Sequence, residues 1–238
     1  MSLDAFQEKK AAIEAVEKML TPNLPIAVAL QEAEDLIVWC QQDKTALEGA
    51  GLSWSIVEDL PIRIEACRYI QSQWQKEFKS QEESQRQWNA MSPIAYGLHD
   101  ELIHSFFYAY RNDADLLPKV QQISQGSGHA DMIQDLSDLS ALGKANPAPL
   151  AKIMFDMTKL DLAERQAAEM AKLLAQCNGD RRSVSATRVL RDKAYTYMRQ
   201  AVDEIRQCGQ YVFYRNDERK KGYTSIYKKK VSKPEARK

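Results

Sequence analysis

Ser92–Tyr110, SPIAYGLHDELIHSFFYAY, sets Ile94, Leu98, Leu102, Phe106 and Tyr110 at four-residue intervals behind a Ser-Pro start. At about 100° per residue these positions form one apolar stripe, whereas a strand would need alternation at every second residue. Ser92 suits an N-cap and Pro93 the first helical position, so the spacing predicts a core-facing helix that begins there.

The same period extends toward the N-terminus. Phe6, Ile13, Val16 and Leu20 predict a first helix over 3–20 with Ser2 as its cap, followed by a break at Thr21–Pro25. Pro25 opens a second helix in which Leu30, Ala33, Ile37 and Cys40 share a stripe until Gly49 and Gly51 stop it, so the pair forms an antiparallel hairpin. Ser53 caps a short turn. Asp59-Leu60-Pro61 then restarts a long helix with Ile62, Ala66, Tyr69, Ile70 and Trp74, running to about Ala90. Its second half, QKEFKSQEESQRQW, is polar enough to predict a loosely covered end.

Beyond Tyr110 a short helix over 113–123, with Pro118 as a kink, leads to the loop Gln125-Gly126-Ser127-Gly128, the best boundary in the sequence. Met132, Leu136, Leu139 and Leu142 predict a helix closed by Gly143, and Asn146-Pro147-Ala148-Pro149 opens another. Thr158 caps a helix over 159–177 ended by Asn178-Gly179, and a final long helix spans 183–208. Gly209 reads as an interruption, with Tyr211–Tyr214 as a further helical turn in preference to a short strand.

These elements predict an all-α antiparallel helical bundle. LHDELIHSFFYAY at Leu98 is echoed by LRDKAYTYMRQAV at Leu190, which suggests two similar four-helix halves. The expected divisions are an N-terminal half over 1–125, a C-terminal half over 126–217 and a basic, flexible tail over 218–238, held only if the body of the fold or a partner captures Tyr223 and Tyr227.

With 238 residues, 44% hydrophobic and 28% charged, the chain can bury a substantial core, which argues against wholesale disorder. No apolar run approaches the roughly 18 residues of a membrane span. The N-terminal segment carries acids throughout and has no apolar core of a secretory signal, so a cytoplasmic protein is expected. Cys40, Cys67, Cys177 and Cys208 are far apart and read as buried thiols.

Glu101-Leu102-Ile103-His104 is an E-x-x-H, but neither His99 nor His129 supplies the second copy that a di-iron bundle needs, and His99 and His104 fall on different sides of their helix. Asp131, Asp135 and Asp138 share a helical face and read as a solvated one. Neither a nucleophile elbow nor a glycine-rich phosphate loop is present, so no cofactor and no catalytic residue is expected. Phe106–Tyr110 and the Tyr195/Tyr197 pair read as core aromatics.

Charge is the one compositional asymmetry. Residues 1–179 carry 16 Lys/Arg against 26 Asp/Glu, a net of −10, and residues 180–238 carry 17 against 7, a net of +10. The contact residues this suggests are Arg188, Arg199, Arg206, Arg219, Lys220, Lys221, Tyr223, Tyr227, Lys228, Lys229 and Lys230. Their cations attract phosphate and their rings can stack on bases, yet the acidic body repels the same ligand and can also pair with these cations itself.

AVDEIRQCGQYVFY at 201–214, with Lys221-Gly222-Tyr223 after it, resembles the close of an uncharacterised all-helical protein family of Bacteroidota. The resemblance implies a helical fold over most of the chain and supplies no activity or site residue. The expected function is a non-catalytic cytoplasmic scaffold that contacts a protein partner or itself. A nucleic-acid-binding accessory protein is the alternative, and a metal-dependent helical-bundle enzyme the remote one.

Overall fold

Helix is the regular structure of the described residues, 2–225 and 227, in the computed structural model, and no strand occurs among them. Among the described residues the helices are, in order, α1 (Ser2–Glu14), α2 (Ile26–Gly49), α3 (Trp54–Ala109), α4 (Leu116–Ile123), α5 (His129–Ala145), α6 (Pro147–Lys152), α7 (Thr158–Val212) and α8 (Asp217–Gly222). The all-α fold expected from the apolar period is therefore the observed one. No described helix is long and apolar enough to cross a membrane.

Several expected boundaries are absent because tertiary burial outweighs a local breaker. Pro93 cannot donate to the carbonyl of residue 89, but Trp88, Ala95, Leu98 and Leu102 on either side are all buried in one cluster, and α3 runs on through it. Pro61 is carried in the same way between buried Leu60 and Ile64. In α7, Asn178-Gly179 follows buried Cys177, and Asp180 accepts a hydrogen bond from Ser84 at 2.8 Å, so the helix is not ended there. Gly143 lies inside α5, not at its end: a Cβ there would fall 2.8 Å from the Phe106 ring and 2.9 Å from Leu160, which makes it a contact glycine.

One expected extension is missing. The first helix ends at Glu14 instead of continuing to Leu20. Lys193 donates to the Glu14 carbonyl at 2.6 Å and the Leu20 amide donates to Thr196 at 2.9 Å, so α7 takes over the hydrogen bonding of this segment.

The chain divides into two compact units, one formed by the residues up to Glu77 together with those from Val184 onward, the other by Phe78–Ser183. The chain passes from the first to the second within α3 and returns within α7. The division expected at Gly126–Gly128 instead falls inside the second unit. There Gly126 and Gly128 adopt positive φ in a tight turn whose Ser127 amide donates to Asp131 at 3.0 Å, and α4 and α5 on either side bury Leu116, Val120, Met132 and Leu136 in a common cluster. The echoing segments at Leu98 and Leu190 lie in different units.

The first unit packs Ile13 of α1, Leu36, Cys40 and Leu47 of α2, Leu60, Ile64 and Cys67 of α3, and Met198 and Ile205 of α7. The second packs Leu102 and Phe106 of α3, Val120 of α4, Leu136 and Leu139 of α5, Leu150 of α6 and Met170 of α7. Each such fully buried aliphatic or aromatic side chain contributes about 1.5–3 kcal/mol.

Over the described part of the tail from residue 218, the condition attached to Tyr223 is met, because the body of the fold holds it. Residues 217–222 form α8, and Tyr223 is fully buried in the first core. Lys228, Lys229 and Lys230 lie outside the described residues.

Candidate binding site in the first unit

On α2, Glu32, Asp35, Trp39 and Asp43 recur at three- and four-residue intervals and so follow one stripe. The neighbouring stripe of Ala29, Ala33, Leu36, Cys40 and Leu47 faces the core. The acids thus sit at the edge of an apolar interior, where a carboxylate needs partners. Those partners come from α7 and α8.

Arg206, on α7, donates through Nη2 to Glu32 at 2.9 Å, and both side chains are buried. The other Glu32 oxygen accepts from the Ser225 hydroxyl and from the Tyr227 backbone amide, each at 3.0 Å. Burial alone would raise the Glu32 pKa, but these donors outweigh it and hold the carboxyl below the usual glutamate range.

Six residues make a helix too short to stand alone, so α8 depends on capping and docking. Asn216 caps it by accepting from the Arg219 amide at 3.1 Å, with Asp217 and Glu218 in its first turn and Arg219–Lys221 in its last, as the helix dipole favours. Docking is through Arg219, which pairs with Asp43, bonds Gln42 at 3.2 Å and lies 5.0 Å from the Trp39 ring centre. Just beyond, Tyr223 donates to Asp43 at 2.7 Å, its carbonyl accepts from Gln210 at 2.7 Å, and its ring stacks on Phe213. Burial and the bond to Asp43 push the Tyr223 phenol well above its ordinary pKa, so it remains a neutral donor.

Gly209 explains how that ring fits. It does not interrupt α7; a Cβ there would overlap the Tyr223 ring, so the missing side chain lets the aromatic lie directly on the helix backbone. Gly222 has the same relation to Trp39.

Beside these contacts is a cavity of about 550 Å³, whose walls include Glu32, Asp35, Val38, Trp39, Arg206 and Lys221. Val38 is 60% exposed. Among the described residues the buried Nε of Arg206 has no hydrogen-bond acceptor. That is the chemical peculiarity of the site: a guanidinium held in place by Glu32 with a desolvated donor unused.

The structure gathers only some of the cationic residues singled out from the sequence. Arg206, Arg219, Lys221, Tyr223 and Tyr227 converge on α2 or on the cavity beside it. Arg199 pairs instead with Asp203 on its own helix, Lys221 also pairs with Glu218 at 2.6 Å, and Arg188 is exposed. Lys220 is half-buried. Among the described residues these cations do not gather into one open surface. Sequence reading missed Glu32, Val38, Trp39 and Asp43, although the acid stripe on α2 was a usable signal.

Other candidate chemistry is dispersed. Glu101 pairs with Lys159, His104 is exposed, His99 bonds Asp135 at 3.0 Å, and His129 bonds Tyr96 at 2.9 Å against the Trp88 ring. Asp131 and Asp138 accept from Ser127 and Gln134. Among the described residues no group of three or more His, Cys, Asp or Glu is arranged to hold a metal ion. All four cysteines are free, and burial pushes the Cys40 and Cys67 thiols up to about 12, which makes them poor nucleophiles.

No protein-family model, curated protein or solved structure matches this chain.

Proposed function

We propose that this chain is a non-catalytic, cytoplasmic interaction protein that acts by receiving a ligand or partner segment in the cavity of its first unit. The observation that carries this reading is the cavity of about 550 Å³ whose wall joins the exposed Val38 to the Arg206 and Lys221 side chains. The cavity also lies within the 300–1,000 Å³ typical of ligand sites, and exposed Val38 gives it an apolar wall. Four free cysteines fit a reducing compartment.

Nucleic-acid binding draws less support, since the ion pairs of Arg206, Arg219 and Arg199 already engage these cations with carboxylates of the protein. The test is affinity purification from cell lysate with the wild-type chain, Val38→Glu and Arg188→Glu. A molecule identified by mass spectrometry with wild type and Arg188→Glu, and lost with Val38→Glu, supports the reading. Equal recovery by all three overturns it, and retention of single-stranded DNA or RNA at about 50 mM salt that Arg188→Glu abolishes favours the nucleic-acid alternative.

A further inference from the structure

We propose that residues 216–225 form a strap that undocks from α2 and α7 without unfolding the rest of the first unit, and so opens and closes the cavity beside α2. Its bearing on the cavity rests on the reading of that cavity as the binding site.

The strap is held at one buried point. From Tyr214 to Ser225 the only buried residue is Tyr223, and none of the six residues of α8 is buried. The connection to α7 runs through exposed Tyr214, Arg215 and Asn216, which can turn without disturbing the core. A helix of six residues has too few internal hydrogen bonds to persist alone, so the docked form depends on Tyr223, Arg219 and the fit of Gly222 against Trp39.

Its polar contacts are of a kind that water replaces. Arg219 and the Tyr223 hydroxyl converge on Asp43, and the Ser225 hydroxyl and Tyr227 amide on Glu32. Undocking admits water to both carboxylates as these donors leave, so neither is stranded in an apolar interior.

The rest of the unit has its own closure. Arg206 bonds Glu32 at 2.9 Å, the Cys208 thiol meets the Leu47 carbonyl at 3.8 Å, and Leu36, Leu60, Met198 and Ile205 belong to the core that α2, α3 and α7 build. The cavity has no such independence. Lys221, Gly222 and Thr224 of the strap complete the wall that Glu32, Val38 and Trp39 of α2 begin. A ligand seated against both binds the docked strap better than the open one and shifts the segment toward it.

Undocking also uncovers a reporter. Cys40 is fully buried, lies one turn of α2 from Asp43 and shares the cluster of Tyr223. After burial and Asp43, Cys40 is a further group that raises the Tyr223 pKa, as its closeness to the phenol requires. Cys67 on α3 is equally buried, but apart from burial the groups that shift it are Arg191, Arg68 and Asp192, none of them on the strap.

The experiment is alkylation of the full chain with N-ethylmaleimide, read at each cysteine by mass spectrometry. Cys40 is expected to react at least about tenfold faster than Cys67. Low urea should leave the Cys40 rate unchanged while the Cys67 rate climbs, because only the second needs a large surface exposed. Tyr223→Phe, which loses the bond to Asp43, and Gly222→Ala, whose Cβ would overlap the Trp39 ring, should each speed Cys40 about tenfold. Ile64→Val weakens the core and leaves the strap contacts intact, so it should speed Cys67 at least about twofold and leave Cys40 as it was. Equal rates at Cys40 and Cys67 with the same urea dependence overturn the proposal, as does a Cys40 rate that neither strap variant raises. Labelling needs no ligand, so that result leaves the cavity to be judged by recovery from lysate. Equal recovery by wild type, Val38→Glu and Arg188→Glu removes the cavity reading and leaves the motion of the strap standing.

Discussion

Around Leu136 the second unit is closed chiefly by apolar side chains, whereas around Arg206 the first is closed by ion pairs between segments remote in sequence. Every buried charged side chain among the described residues, Glu32, Asp43, Arg191, Asp192 and Arg206, belongs to the first unit. The buried polar residues of the second are Ser84, Ser140 and Gln166, of which Ser140 simply donates to the Leu160 carbonyl at 2.8 Å. The separations differ as well: 174 positions divide Arg206 from Glu32 and 180 divide Tyr223 from Asp43, against 20 between Ser140 and Leu160. A buried charge pair is weak evidence for stability but is costly to break singly, so the first unit should be the more vulnerable to loss of one polar partner and the second to loss of volume.

The sharpest way to break that contrast is Glu32→Ala, which strands buried Arg206. We expect a loss of about 3–5 kcal/mol in urea unfolding, and a loss under about 1 kcal/mol would mean the pair is not the closure it resembles. Leu136→Ala, fully buried in the second unit, should cost about 2–5 kcal/mol through its cavity, with amide protection falling around Leu102 and Leu139 before it falls around Leu36. Tyr223→Phe removes a donor to a charged acceptor while keeping the ring on Gly209, so about 1.5–3 kcal/mol is expected, read as faster hydrogen exchange in α8.

Acid should separate the units without mutation. Glu32 has a folded pKa below its usual 4.5, so its contribution is full above that value and disappears as pH falls through the lowered one. Asp135 is the reverse: burial, reinforced by Asp131 and Asp138 and only partly offset by His99, raises it above 3.8, so its contribution is full below that value and is lost as pH rises through the raised one. Hydrogen exchange compared at about pH 6 and about pH 3 should show α2 losing protection while the Asp135 region is relieved of a charge; equal loss in both would remove the distinction. The smallest effect belongs to Arg188→Gln, an exposed position at which the unfolding midpoint should reflect a change within about 0.5 kcal/mol.

The same contrast explains what could be read from sequence. Period alone located α2, whose start after Pro25 and end near Gly49 depend on local chemistry, and it identified the stripe Leu98, Leu102, Phe106 and Tyr110. It failed at Pro93, Asn178-Gly179 and Gly143, where a local breaker is overridden by neighbours that packing supplies. Gly209 was misread for a related reason, since the ring that needs it is Tyr223, beyond the end of its own helix. At the candidate site the basic end was visible as charge, and Arg206, Arg219 and Lys221 were singled out. Their engagement with α2 was not legible, because nothing local marks Glu32 and Asp43 as the acids that will be buried.

The division of the chain also fixes an order of assembly during synthesis. Phe78–Ser183 is contiguous and can close as soon as it has emerged from the ribosome, but α1, α2 and the start of α3 are made first and must wait for the residues from Val184 onward. At about 5–20 residues per second that wait is on the order of ten seconds, during which Leu36, Leu47 and Leu60 have no α7 to cover them. The nascent chain therefore exposes the apolar residues of the first unit to chaperones and to misassembly until α7 is made, and the docking of Tyr223 completes that unit.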